Sequence, residues 1–175
     1  MANVIIGIIG VVLFILLAIA GAIFLGPQFT AANNNGKAAA LVQSATQIAS
    51  AVNLTNTQNG TTYASGVSTS QLVTDGGLKV VPGNTVNTAA TGAFLLINAA
   101  APASTTAVAD TITASLGTGN KPVCDQIEKQ SGGASTGAVV TTLTNLPRVN
   151  GCIVLAAATN PVSFFPNENI VYAKI

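Results

Sequence analysis

Residues 4–25 read VIIGIIGVVLFILLAIAGAIFL, a run in which only glycine and alanine interrupt large apolar side chains. As a helix this run rises ~33 Å, close to the ~30 Å hydrocarbon thickness of a bilayer. Its apolar residues cover every face, unlike the one-sided pattern of a surface helix. Gly26-Pro27 follows. Proline lacks the backbone donor and crowds the carbonyl four residues earlier, which predicts a kink or local melting over residues 23–27. Beyond it the pattern changes. Leu41, Ala45, Ile48 and Val52 step by four, three and four, and Val42 and Ala49 widen the stripe. That is a helix with one buried face. Asn33-Asn34-Asn35-Gly36 is poor helix material and is expected to loosen the chain locally. The pattern predicts one long helix to about residue 53, wholly apolar at first and amphipathic afterwards.

The rest of the chain must cover that stripe. Residues 53–77 are rich in turn dipeptides, among them Asn59-Gly60, Ser65-Gly66 and Asp75-Gly76. Residues 68–73 are expected to begin a short helix with a hydroxyl as its N-cap. Strands are expected over residues 78–81, 93–98, 111–116, 138–146, 152–156 and 170–175. Residues 122–130 read as a helix. Pro122 suits its first turn, Lys121/Asp125 and Asp125/Lys129 are spaced as helical ion pairs, and Val123, Cys124 and Ile127 share one face. No internal repeat and no long linker occurs. The organisation is a hydrophobic spine or membrane segment over residues 1–27, then a head over residues 28–175 that includes the amphipathic half of the helix.

Composition sharpens this picture. Charged residues are 6% of the chain, with a net charge of +1, against ~25% charged in an average soluble protein. No basic patch exists to hold a phosphate backbone, which excludes specific nucleic-acid recognition. A surface of Thr, Ser, Asn and Gln can pack against copies of itself without burying many ions, whereas a lone monomer so poor in charge risks precipitation. The first 36 residues carry no charge, and Lys37 is the first basic residue. The absence of a basic flank argues against a signal peptide and leaves a membrane anchor without an orientation signal. It fits a chain whose short basic leader has been removed, with Met1 as the first processed residue.

The chain is poor in catalytic chemistry. Histidine is absent, so the commonest general base is missing. Of the five carboxylates only Asp125 and Glu128 lie close together, and they read as a solvated helix face. Gly117-Thr118-Gly119-Asn120-Lys121 lacks the spacing of a phosphate loop and reads as a turn. Asn53-Leu54-Thr55 and Asn59-Gly60-Thr61 match the glycosylation sequon and mark exposed loops. No catalytic, cofactor-binding or metal-binding residue is expected. Cys124 and Cys152 are the only cysteines and fit no zinc spacing. They are either two reduced core thiols or a disulfide, which an exported chain favours. By the chain-entropy estimate a bridge contributes ~3–4 kcal/mol.

These features, in this order, resemble the type IV pilins, and among them the type IVb major pilins. The resemblance covers nearly the whole chain. It takes in the apolar spine, the alanine- and glutamine-rich residues 38–52, the segment YASGVSTSQL at 63–72, Val81-Pro82, Pro122-Val123-Cys124 opening a helix, and Cys152 closing the C-terminal region. It implies an α+β fold with a long hydrophobic N-terminal helix packed against an antiparallel-sheet globular head. It implies a structural subunit of an extracellular filament, bundled through Met1, Ile5, Ile8, Val12, Ile15 and Ile19, with a helix kink at Gly26 and Pro27. Its partners would be identical subunits, the inner membrane before assembly, a prepilin peptidase and an assembly machinery. Its uses would be adhesion, aggregation, motility or conjugation-related contact. The family's glutamate at the fifth position is here Ile5, and no carboxylate precedes Asp75. Assembly is therefore expected to rest on aliphatic packing. The other reading of the same features is a monomeric, membrane-anchored extracytoplasmic binding domain.

Overall fold

A computed structural model describes residues 2–60, 62–101, 104, 106–133, 138–140, 143–144, 146, 148–155 and 168–175. Met1, much of the strand expected over 138–146 and Ala156 lie outside the described residues. The chain divides into two compact units, Met1–Asn34 and Asn35–Ile175.

Helix α1 spans Ala2–Asn59. It runs unbroken through Gly26 and Pro27, so the expected local melting does not occur. Proline removes only one backbone donor, so the loss is confined to a single turn. The Thr30 hydroxyl also donates to the Gly26 carbonyl at 3.2 Å. The asparagine run stays helical too, and Gln130 Nε2 donates to the Asn35 carbonyl at 3.2 Å. The helix ends six residues later than its periodicity suggested. Gly60 takes φ +63°, the left-handed conformation that stops helices, and its N–H returns to the Asn56 carbonyl at 3.0 Å. Asn53 therefore lies on the helix and not in a loop, and Thr55 of that sequon is buried against the Ala51 carbonyl.

The head is a six-stranded sheet with the order β1-β2-β3-β6-β5-β4. Its strands are β1 Val67–Ser68, β2 Leu95–Ile97, β3 Thr111–Gly117, β4 Ala138–Val140, β5 Asn150–Leu155 and β6 Glu168–Lys174. All neighbours are antiparallel except β4 with β5. Strand alternation sorts the side chains into two cores. Leu96, Ile112, Ala114, Leu116, Cys152, Val171 and Ala173 share one cluster with Leu41, Ala45, Ile48 and Val52 of α1. Ile97, Ile153, Leu155, Ile170 and Tyr172 form the other with Leu143 and Leu146. The head is thus α+β, its helix packed on a largely antiparallel sheet, and together with the long apolar N-terminal helix the architecture is pilin-like.

Two further α-helices among the described residues connect these strands. Helix α2, Ser70–Thr74, is the short helix expected here, but its N-cap Thr69 makes no capping bond. The Thr69 hydroxyl donates instead to the Phe94 carbonyl at 3.1 Å, which ties the turn to the strand region. Residues 78–81 are not a strand. The Leu78 N–H turns back to the Leu72 carbonyl at 3.1 Å, directly after the turn at Gly76. Helix α3, Lys121–Gln130, forms as expected, with Pro122 in its first turn and a Lys121–Asp125 ion pair at 2.8 Å.

Candidate assembly surface and the disulfide region

The large apolar side chains from Val4 to Phe29 are 49–74% exposed. Among the spine candidates, Ile5, Ile8, Val12, Ile15 and Ile19 all fall in that range. Met1 lies outside the described residues. The segment belongs to a helix long and apolar enough to cross a membrane, by length and composition. A helix with such residues on every face gains nothing from water and needs an apolar surrounding. Beyond their own stretch of helix, Gly7, Gly10 and Gly21 have no neighbouring atom within 4 Å of the place a Cβ would occupy. The glycines are therefore not required by contacts within the chain.

The other candidates lie in the head. Cys124 and Cys152 form a disulfide with a Cα–Cα separation of 5.3 Å. Both cysteines are fully buried in the core shared with α1. The bridge joins the first half of α3 to β5, so a helix laid on the sheet is fastened to one of its strands.

Glu128 overturns the expectation of a solvated helix face. It is 3% exposed, and its carboxylate accepts Arg148 Nη1 at 2.8 Å and the Cys152 main-chain N–H at 2.7 Å. The sequence did carry a signal for this. Glu128 follows Cys124 by one helical turn, on the face of Val123, Cys124 and Ile127. Arg148 had no such signal, because it sits in an irregular segment that only the tertiary fold brings to α3. Tyr172 completes the cluster from β6. Its hydroxyl is buried beside Glu128 and the Arg148 main chain. Burial holds its pKa above the ordinary phenol value, and the nearby Glu128 charge adds to this, against a smaller opposing influence of Arg148. Tyr63 is also raised, by burial first and then by its bond to Asp75 at 2.8 Å.

A cleft of about 270 Å³ in the head is lined by Asp110, Thr111, Thr144 and Lys174 among others, and its charged groups are already engaged in structure. Asp110 Oδ1 accepts the Ala99 N–H and the Thr111 hydroxyl, both at 2.8 Å, and Lys174 Nζ donates to the Leu146 carbonyl at 3.0 Å. No group of three or more metal-ligating side chains occurs among the described residues. No protein-family model, no curated protein and no solved structure matches this chain.

Proposed function

We propose that this protein is a structural, non-enzymatic subunit of an extracellular type IV pilus-like filament. In this reading residues 1–25 of many copies bundle at the axis and the heads face outward. The observation that carries it is the exposure of apolar side chains on every face of residues 4–29. Lipid satisfies that surface before assembly, and identical helices satisfy it afterwards. A head tied by a disulfide and poor in charge suits life at a cell surface among copies of itself. Adhesion, aggregation, motility or conjugation-related contact are the uses this architecture serves.

The anchored-monomer reading rests on the same helix, since one such segment also suffices to span a bilayer. Electron microscopy separates the two. Detergent is dialysed away from the purified full-length chain in the presence and absence of lipid vesicles. Filaments of uniform width are expected. Protein recovered only as single copies in vesicles, with no filaments under any condition, would overturn the proposal in favour of the anchor.

A further inference from the structure

The disulfide is one of two ties between α3 and Cys152. Cys124 holds the sulfur, and Glu128, one turn further along α3, holds the backbone amide through Oε1 at 2.7 Å. The same carboxylate reaches the chain just before β5, because Oε2 accepts Arg148 Nη1 at 2.8 Å. A Cβ at position 151 would stand 2.5 Å from Glu128 Oε1 and 2.9 Å from the Tyr172 hydroxyl. Glycine at that position is what allows the carboxylate to approach the neighbouring amide. Hydrogen bonds to an ionised acceptor are roughly twice as strong as neutral ones.

We propose that Glu128 is the positioning residue for formation of the Cys124–Cys152 disulfide. In the reduced chain it seats the Cys152 main chain one turn along α3 from Cys124, and the two thiols meet without a search. The oxidant is a low-molecular-weight or protein disulfide. One cysteine thiolate attacks it, forming a mixed disulfide and releasing one thiol. The second thiolate attacks the protein sulfur of that mixed disulfide and releases the other thiol. The protein loses two hydrogens and the oxidant gains them. Glu128 takes no part in the electron transfer. It raises the effective concentration of one thiol at the other. Two contacts that order the same strand reinforce each other, and that coupling is reciprocal.

The head contains its own control. Glu168 is another buried carboxylate, accepting the Ser115 hydroxyl at 2.7 Å, with no bond to either cysteine or its backbone among those found. Full-length protein in detergent micelles, with an osmolyte to hold the reduced forms folded, is equilibrated against mixtures of reduced and oxidised glutathione. Alkylation and mass spectrometry then give the effective thiol concentration. Glu128→Met is expected to lower it about tenfold or more, and Glu128→Gln, which keeps an acceptor for the amide, to recover part of that loss. Ser115→Ala is expected to stay within about twofold of the parent. In urea, Glu128→Met is expected to lose more stability in the oxidised protein than in a Cys124→Ala/Cys152→Ala background. An unchanged effective concentration with equal stability losses in both backgrounds would overturn the proposal. So would a reduced Glu128→Met chain that circular dichroism finds unfolded despite the osmolyte, because Glu128 would then sustain the whole head.

Discussion

Helix α1 places two kinds of apolar surface on one element. Residues 4–29 carry large apolar side chains that are exposed all round, whereas Leu41, Ala45, Ile48 and Val52 are at most 1% exposed. Gln43, Gln47, Ser50 and Asn53, on the other side of the second half, face water. Hydrophobic content does not distinguish a buried helix from an exposed one. Periodicity does. A one-sided stripe names a partner within the chain, and an all-round surface names a partner outside it. The head solves its own burial problem, whereas the large apolar side chains of residues 4–29 stay exposed.

The largest expected effect tests that division directly. Ile8→Asp places a carboxylate where a charge costs ~2.5–3.5 kcal/mol in an apolar helix surround. It should abolish filaments by electron microscopy while the head keeps its circular dichroism and thermal transition. Val80→Asp, at a head position 72% exposed, should leave assembly intact. Deleting residues 1–28 should yield a soluble monomeric head, because every residue of both cores lies at position 38 or beyond. Filaments formed by the truncated chain would erase the distinction between the two regions.

A smaller effect sharpens the head's side of the comparison. Replacing both cysteines by alanine should lower the stability of the truncated head by ~3–4 kcal/mol, read from urea midpoints. A loss below ~1 kcal/mol would mean that the remaining ties hold β5 alone.

Smaller again is the alkaline response. Tyr172 and Tyr63 are both raised in the folded head. Their protonated forms are favoured by folding, so the stability they contribute is full below the unfolded value near 10 and is lost as pH rises through the folded values. The urea midpoint should be flat up to about pH 9.5 and fall beyond ~10. Tyr172→Phe should make that fall shallower and change stability at pH 7 by no more than ~1 kcal/mol, the scale of one weak hydrogen bond to the Arg148 main chain. Last comes an expected null. With no charged side chain before Lys37, filaments should withstand 1 M salt, which screens ion pairs and spares apolar burial. Sedimentation before and after salt checks this.

The α1 stripe, α3, and strands β2, β3, β5 and β6 were legible because each is written as a local period or a short apolar run. What escaped the sequence was decided at longer range. Residues 78–81 look like a strand, but Leu78 spends its N–H on Leu72. Val67–Ser68 becomes a strand only because Leu95 and Leu96 offer an edge to pair with. Glu128 looks solvent-facing by its charge, while its helical position sets it on the buried face, and its partner Arg148 is 20 residues away in sequence. The cysteine pair was visible as a possibility, and the fold alone brought its members together.

The order β1-β2-β3-β6-β5-β4 also sets a timetable. Among the described residues, strand β6 is made after every other strand, yet it lies between β3 and β5 and joins the two halves of the sheet. Until residue 174 has left the ribosome, the nascent head has two separate strand groups, each with an edge waiting to be filled. Helix α1, by contrast, is synthesised before the strands that cover its stripe. Synthesis therefore delivers the apolar helix before the strand that completes the described sheet, and a chain cut short of residue 168 lacks the strand that pairs with both β3 and β5.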